Sequence, residues 1–151
     1  MRPILLILFL FPLPTQAATL HVSKAGNGTG GSNWENAFVK IGDAIEAATA
    51  GDRIWVASGV YNESLDLPSG ISLLGGFDLG EEENGFDQRD WIANETVIDA
   101  TLLQKRCIRV RDATSVLIDG FTLRNAYLEL VQHSFCKLRV RVPAQGAEEA
   151  L

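Results

Sequence analysis

The sequence predicts an all-β solenoid of parallel coils, closed at its start by one α-helix. Three observations lead there. Five short segments rich in Ile, Val, Leu and Thr follow Gly51 (residues 52–58, 71–76, 96–100, 107–112 and 115–125), each bounded by turn residues. No second amphipathic helix separates them, which disfavours alternating strands and crossover helices. An Ile-Asp pair also recurs at Ile98-Asp99 and Ile118-Asp119, a spacing that suits stacked coils with insertions in their loops. A compact β-sandwich satisfies the strand spacing equally well.

The chain of 151 residues has the length of one ordinary domain. Its first residues are of a different kind. Arg2 is the only early charge, Ile4 to Phe11 is wholly apolar, and Pro12 and Pro14 end that run. Thr15 and Ala17 are small residues two positions apart, the pattern a signal peptidase cuts after. Residues 1–17 therefore read as an export signal, too short to span a bilayer, and no stable membrane span is expected after its removal. The formal charge is −6, and −7 once Arg2 is gone. Such a surface repels the phosphates of nucleic acid.

The mature chain opens with a strand over 19–23 and a loop over 24–33, whose four glycines do not match a phosphate-binding signature. The helix follows. Trp34, Ala37, Phe38, Ile41, Ala44, Ile45 and Ala48 recur at three- and four-residue steps and make one apolar stripe. Ser32 and Glu35 have capping-box spacing, a start near Asn36 is the alternative, and Gly51 supplies a stop. The polar side lacks the basic cluster of a membrane-surface helix. Set before the first coil, this helix is placed to lie across the end of the core as a lid.

Candidates for chemistry are few. "LGGFDLGEEENGFDQRDW", residues 74–91, holds six acidic residues. Asp78, Glu82 and Asp87 are the candidate calcium ligands, although no EF-hand spacing orders them and a solvated insertion loop explains the same composition. No other cofactor is indicated. Arg109, Arg111 and Arg124 are candidates for contacting an acidic glycan. Asp99 and Asp119 would form a carboxylate pair for glycoside hydrolysis only if stacking brought them to one face, and a turn role suits them too. His21 and His133 belong to no recognised catalytic signature. Trp34 and Trp55 offer flat faces to sugars, or simply pack. Cys107 and Cys136 are the only cysteines. In an oxidising compartment they are expected to pair, closing a loop of about 30 residues worth about 3–4 kcal/mol.

The stretches "LHVSKAGNGTGGSNWENAF", "IGDAIEAATAGDRIWVASGVYNES", "LPSGISLLGGF", "DQRDW" and "VLIDGFTLRNA" resemble the N-terminal part of secreted bacterial right-handed parallel β-helix proteins of the pectin-lyase-like class. The resemblance covers residues 20–126. It implies a right-handed parallel β-helix whose cap and first coils occupy 18–125. It also implies structural roles for Trp34, Phe38, Ile41 and Ile45 in the cap and for Arg89, Asp90 and Trp91 at the end of the acidic loop, with Arg89 pairing a neighbouring carboxylate and Trp91 packing on the side of the solenoid. The class includes polysaccharide lyases, hydrolases and adhesins. The expected function is a non-catalytic structural module of a secreted or cell-surface protein. The alternatives are a fragment of a lyase or hydrolase, or of a glycan-binding adhesin, with an extracellular polysaccharide as partner. Residues 126–151 depart from the pattern and are expected to be a frameshift or truncation product, although Lys137 to Val142 alternates like one further strand. An uncovered last coil would promote self-association.

Overall fold

The computed structural model describes residues 16–79, 89–100, 107–111, 114–125, 128–131 and 136–141. Strand β1 (Thr19–Val22) precedes helix α1 (Ile41–Ala47). Then come β2 (Arg53–Ala57), β3 (Gly59–Tyr61), β4 (Leu65–Leu67), β5 (Ser72–Phe77), β6 (Thr96–Asp99), β7 (Ile108–Arg111), β8 (Val116–Arg124), β9 (Leu128–Val131) and β10 (Cys136–Arg141). Every ladder among these strands is parallel. The antiparallel ladders of a face-to-face sandwich are not seen among the described residues.

Seven strands form one sheet in the order β1-β2-β5-β8-β6-β3, with β10 also on β8, and this sheet curls into a half-barrel. The second sheet has the order β4-β7-β9. The chain thus visits three ladders in turn, and each visit pairs with the one before. β2, β3 and β4 are followed by β5, β6 and β7. The long β8 then serves two ladders, pairing β5 through Leu117–Asp119 and β6 through Phe121–Arg124. Gly120 lies between those halves with φ +81°, a left-handed backbone that bends the strand and that residues with a Cβ disfavour. β10 repeats the arrangement, with Arg139 beside Asp119 and Val140 beside Phe121, skipping Gly120. This mostly parallel, one-helix architecture is compatible with a solenoid-like fold.

Side-chain alternation builds the interior. Ile54, Leu73 and Ile118 form one inward row and Tyr61, Ile98 and Leu123 another, while Leu65 with Ile108 and Leu67 with Val110 make two shorter ones. All are buried in one cluster, and period-two alternation is what keeps each row on one face. The register corrects the repeat inferred from the Ile-Asp echo. Ile118 lies beside Leu73, whereas Ile98 lies beside Leu123. The two Ile-Asp pairs therefore belong to different ladders and do not stack. Two short strands, β3 and β4, escape strand periodicity because three residues show too little of it. The segment set apart from residue 126 contains β9 and β10, which continue both sheets.

The helix is shorter than its stripe. Residues 31–38 fold as a loop against β1. His21 N–H donates to Gly31 O, Phe38 N–H to His21 O and Ser23 N–H to Phe38 O. These bonds commit the backbone of Phe38 to a strand-like bridge with Val22, so it cannot join a helix. Trp34 and Phe38 consequently pack from a loop, and the Ser32/Glu35 capping box does not form. The helix starts after Lys40, whose side chain makes no cap. Its first donors are taken from afar: Glu63 accepts from Ile41 N–H at 2.9 Å and from Gly42 N–H at 2.8 Å. Ile41, Ala44 and Ile45 enter the same core as the strands, and α1 packs against β1, β2 and β4. Glu63→Ala is expected to lower stability by about 1–2 kcal/mol through the lost cap. Glu63→Gln should retain part of that, as read from the midpoints of denaturant unfolding.

Candidate functional site

The outer face of the second sheet carries the most organised set of charges. In β4 and β7, leucine, isoleucine and valine point inward, which turns Asp66 and Arg109 out. The register sets Asp66, Arg109 and Glu129 in one row across β4, β7 and β9. Arg109 donates through Nε and Nη2 to the two carboxylate oxygens of Asp66, a bidentate fork. The Asp66 side chain is 65 % exposed, so the pair contributes only about 0.2–1 kcal/mol. Beside it, between α1 and the sheet, lies a shallow hollow of about 410 Å³ lined by Ile45, Glu46, Asp66, Leu67, Pro68 and Arg109. Its lining mixes the apolar Ile45, Leu67 and Pro68 with the charged Glu46, Asp66 and Arg109. Its titratable side chains are the carboxylates Glu46 and Asp66 and the guanidinium Arg109, and Asp66 is already forked onto Arg109.

Arg109 and Arg111 share β7, two positions apart. Arg124 ends β8 in the other sheet, in register with Asp99 of β6. Arg109 and Arg124 therefore belong to different sheets. In register Arg109 lies between Asp66 of β4 and Glu129 of β9. Asp99 and Asp119 also lie in separate rows, Asp119 beside Leu74 and Arg139. The pairing that glycoside hydrolysis needs is not assembled.

A second cluster lies outside the half-barrel. Arg89 donates to Gly75 O at 3.0 Å and to the Asp119 carboxylate, and its guanidinium lies 5.9 Å from the Phe77 ring centre. Both members of the ion pair are about nine-tenths buried. Asp90 accepts from Ile92 N–H and Ala93 N–H, and those bonds hold its carboxyl below the usual carboxylate range. Half-buried Trp91 meets Gly76 so closely that a Cβ there would lie 2.6 Å from the Trp91 Cβ. Nearby, Trp55 stacks on Phe77 at 4.5 Å, and His21 meets Trp34 edge-on at 4.6 Å. His21 Nδ1 bonds Gly31 O. Packing accounts for both tryptophans.

Asp78 is exposed and accepts from Leu79 N–H. Glu82 and Asp87, the other candidate calcium ligands, lie outside the described residues, as do Glu81, Glu83 and His133. Among the described residues, no three His, Cys, Asp or Glu side chains are grouped to hold a metal. Cys107 is a free, fully buried thiol that donates to Ile98 O, not half of the disulfide expected with Cys136. The Cys136 side chain lies outside the described residues. Burial, with a contribution from the Asp99 charge, pushes the Cys107 thiol up. A thiol reagent at neutral pH is therefore expected to label Cys107 only as fast as the fold opens; labelling followed by mass spectrometry checks this.

Sequence reasoning overlooked Asp52, Glu63 and Asp66. Each acts on a partner distant in the chain, and only the polar position of Asp66 between two leucines gave a local signal. No protein-family model, curated protein or solved structure matches the chain.

Proposed function

We propose that the chain is a non-catalytic structural module: the cap and opening coils of a right-handed parallel β-helix in a secreted or cell-surface bacterial protein of the pectin-lyase-like class. One observation carries this reading. A single core runs from α1 through the successive passes to β8, so each pass buries the open face of the one before while the helix covers the first. Parallel connections favour the right-handed sense. The far end, where β9 and β10 lie, is where further coils or a second copy would add.

In a stack held by nearest-neighbour contacts, damage at the cap frays the adjacent pass first. Ile45→Asp should therefore lose amide-exchange protection in β1, β2 and β4 while β8 keeps its own. Uniform loss across all strands would overturn the modular reading. So would release of unsaturated or reducing sugar ends from an acidic polysaccharide by the purified chain, assayed with and without calcium.

A further inference from the structure

Among the described residues, Ala18 is the first whose backbone is held by hydrogen bonds, and it meets a buried carboxylate. Asp52, just before β2, is 6 % exposed. Its Oδ1 accepts from the Ala18 backbone nitrogen at 2.8 Å. Its Oδ2 accepts from Thr49 N–H at 2.8 Å and from the Thr49 hydroxyl at 2.9 Å. Ala18 is held on its other side too, because Arg53 N–H donates to Ala18 O at 2.8 Å, and β1 then pairs with β2 from Thr19. Gln16, Ala17 and Ala18 are exposed. The hydrogen bonds from Thr49 and Ala18 outweigh the effect of burial and hold the Asp52 carboxyl below its usual range, so it is charged at neutral pH. Arg53 is the neighbouring charge in the chain, but no basic side chain among the described residues pairs with Asp52. Three neutral donors satisfy this carboxylate and stabilise its charge; a cation is the one kind of partner absent from the set among the described residues.

Signal cleavage would supply one. We infer that Asp52 is the receptor for a new N-terminus: hydrolysis of the Ala17–Ala18 peptide bond leaves the Ala17 carboxylate on the leader and turns the Ala18 nitrogen into an α-ammonium, already within hydrogen-bond distance of Asp52 Oδ1. The amide bond of the precursor becomes a charge-assisted ion pair in the mature chain. Processing one residue earlier or later moves the ammonium off this position, because Ala18 O and Thr19 are pinned to β2. The inference rests on the export reading of residues 1–17 and adds to it a site that recognises the product of export. The ammonium's contribution is present below the ordinary α-amino pKa and lost as pH rises through the raised value in the fold. The Asp52 contribution is present above the ordinary carboxyl pKa and lost as pH falls through its lowered value.

The full chain, exported from a bacterial host, tests this. N-terminal sequencing should find Ala18 first. The α-amino group of the folded product, titrated by the pH dependence of its acylation, should have a pKa at least about one unit above the ordinary 7.7–8.0, a tenfold gain in proton affinity. Asp52→Asn, exported alike, should return it to the ordinary range. A product that begins elsewhere would overturn the inference at the level of export. A product that begins at Ala18 but titrates normally while folded would overturn the pairing itself, and needs no variant to show it.

Discussion

Arg89→Ala is expected to destabilise the protein by about 3–5 kcal/mol, the range for removing one partner of a buried ion pair. Arg89 ties three things together at one point: the carbonyl of Gly75 in β5, the carboxylate of Asp119 in β8, and the face of Phe77. Removing it leaves a nine-tenths-buried carboxylate without its guanidinium and releases the segment that carries Trp91 and Glu95 over the sheet. Thr122, only 4 % exposed, donates its hydroxyl to Glu95, so that segment covers the β6–β8 face as well. Arg89→Lys keeps the charge but loses the fork and should fall in between. Replacing Arg89 with Met and Asp119 with Leu together should cost less than the sum of the single changes, since neither charge is then stranded. Urea unfolding of the wild type, Arg89→Ala, Arg89→Lys, the single changes Arg89→Met and Asp119→Leu and their combination measures all of this; a loss below about 1 kcal/mol for Arg89→Ala would mean the pair behaves as a surface contact.

Gly120→Ala should cost about 2–4 kcal/mol, combining left-handed strain with overpacking at a backbone contact. A Cβ at Gly120 would lie 2.5 Å from the carbonyl oxygen of Gly75, and a Cβ at Gly75 would lie 2.5 Å from that of Gly120. The two glycines let β5 and β8 approach where β8 leaves one ladder for the next. Gly28→Ala is the matched control. Its φ is also left-handed, +77°, but only Val39 comes within 4.0 Å of the added carbon. It should lose about 1 kcal/mol, the strain alone. Equal losses at the two sites, by thermal or urea unfolding, would remove the close approach from the explanation.

β3 and β4 were not legible, but the longer strands, β2, β5, β6, β7 and β8, were, because alternation and β-branched composition are local signals. Ile41 and Ile45 were placed correctly for the same reason: a helical stripe states which face needs covering, and both are buried. The helix start was misread because Trp34 and Phe38 fit the spacing while their backbone hydrogen bonds go to β1. The stripe reports burial and not the conformation that delivers it. For the candidate site, Arg89 was expected to pair with a neighbouring carboxylate; its partner is instead Asp119, 30 positions away, beyond anything spacing could select. The Arg109–Asp66 fork spans 43 positions and was invisible for the same reason.

By itself the sequence determined that this chain is a set of short apolar strands behind one amphipathic stripe, since those properties depend on each residue and its near neighbours. Only the tertiary structure decided which strands stack, that the two Ile-Asp pairs belong to different ladders, and that Asp52, Glu63 and Asp119 are spent on distant partners. Register depends on where every insertion loop returns the chain. That is a property of the whole path, and no window of residues contains it.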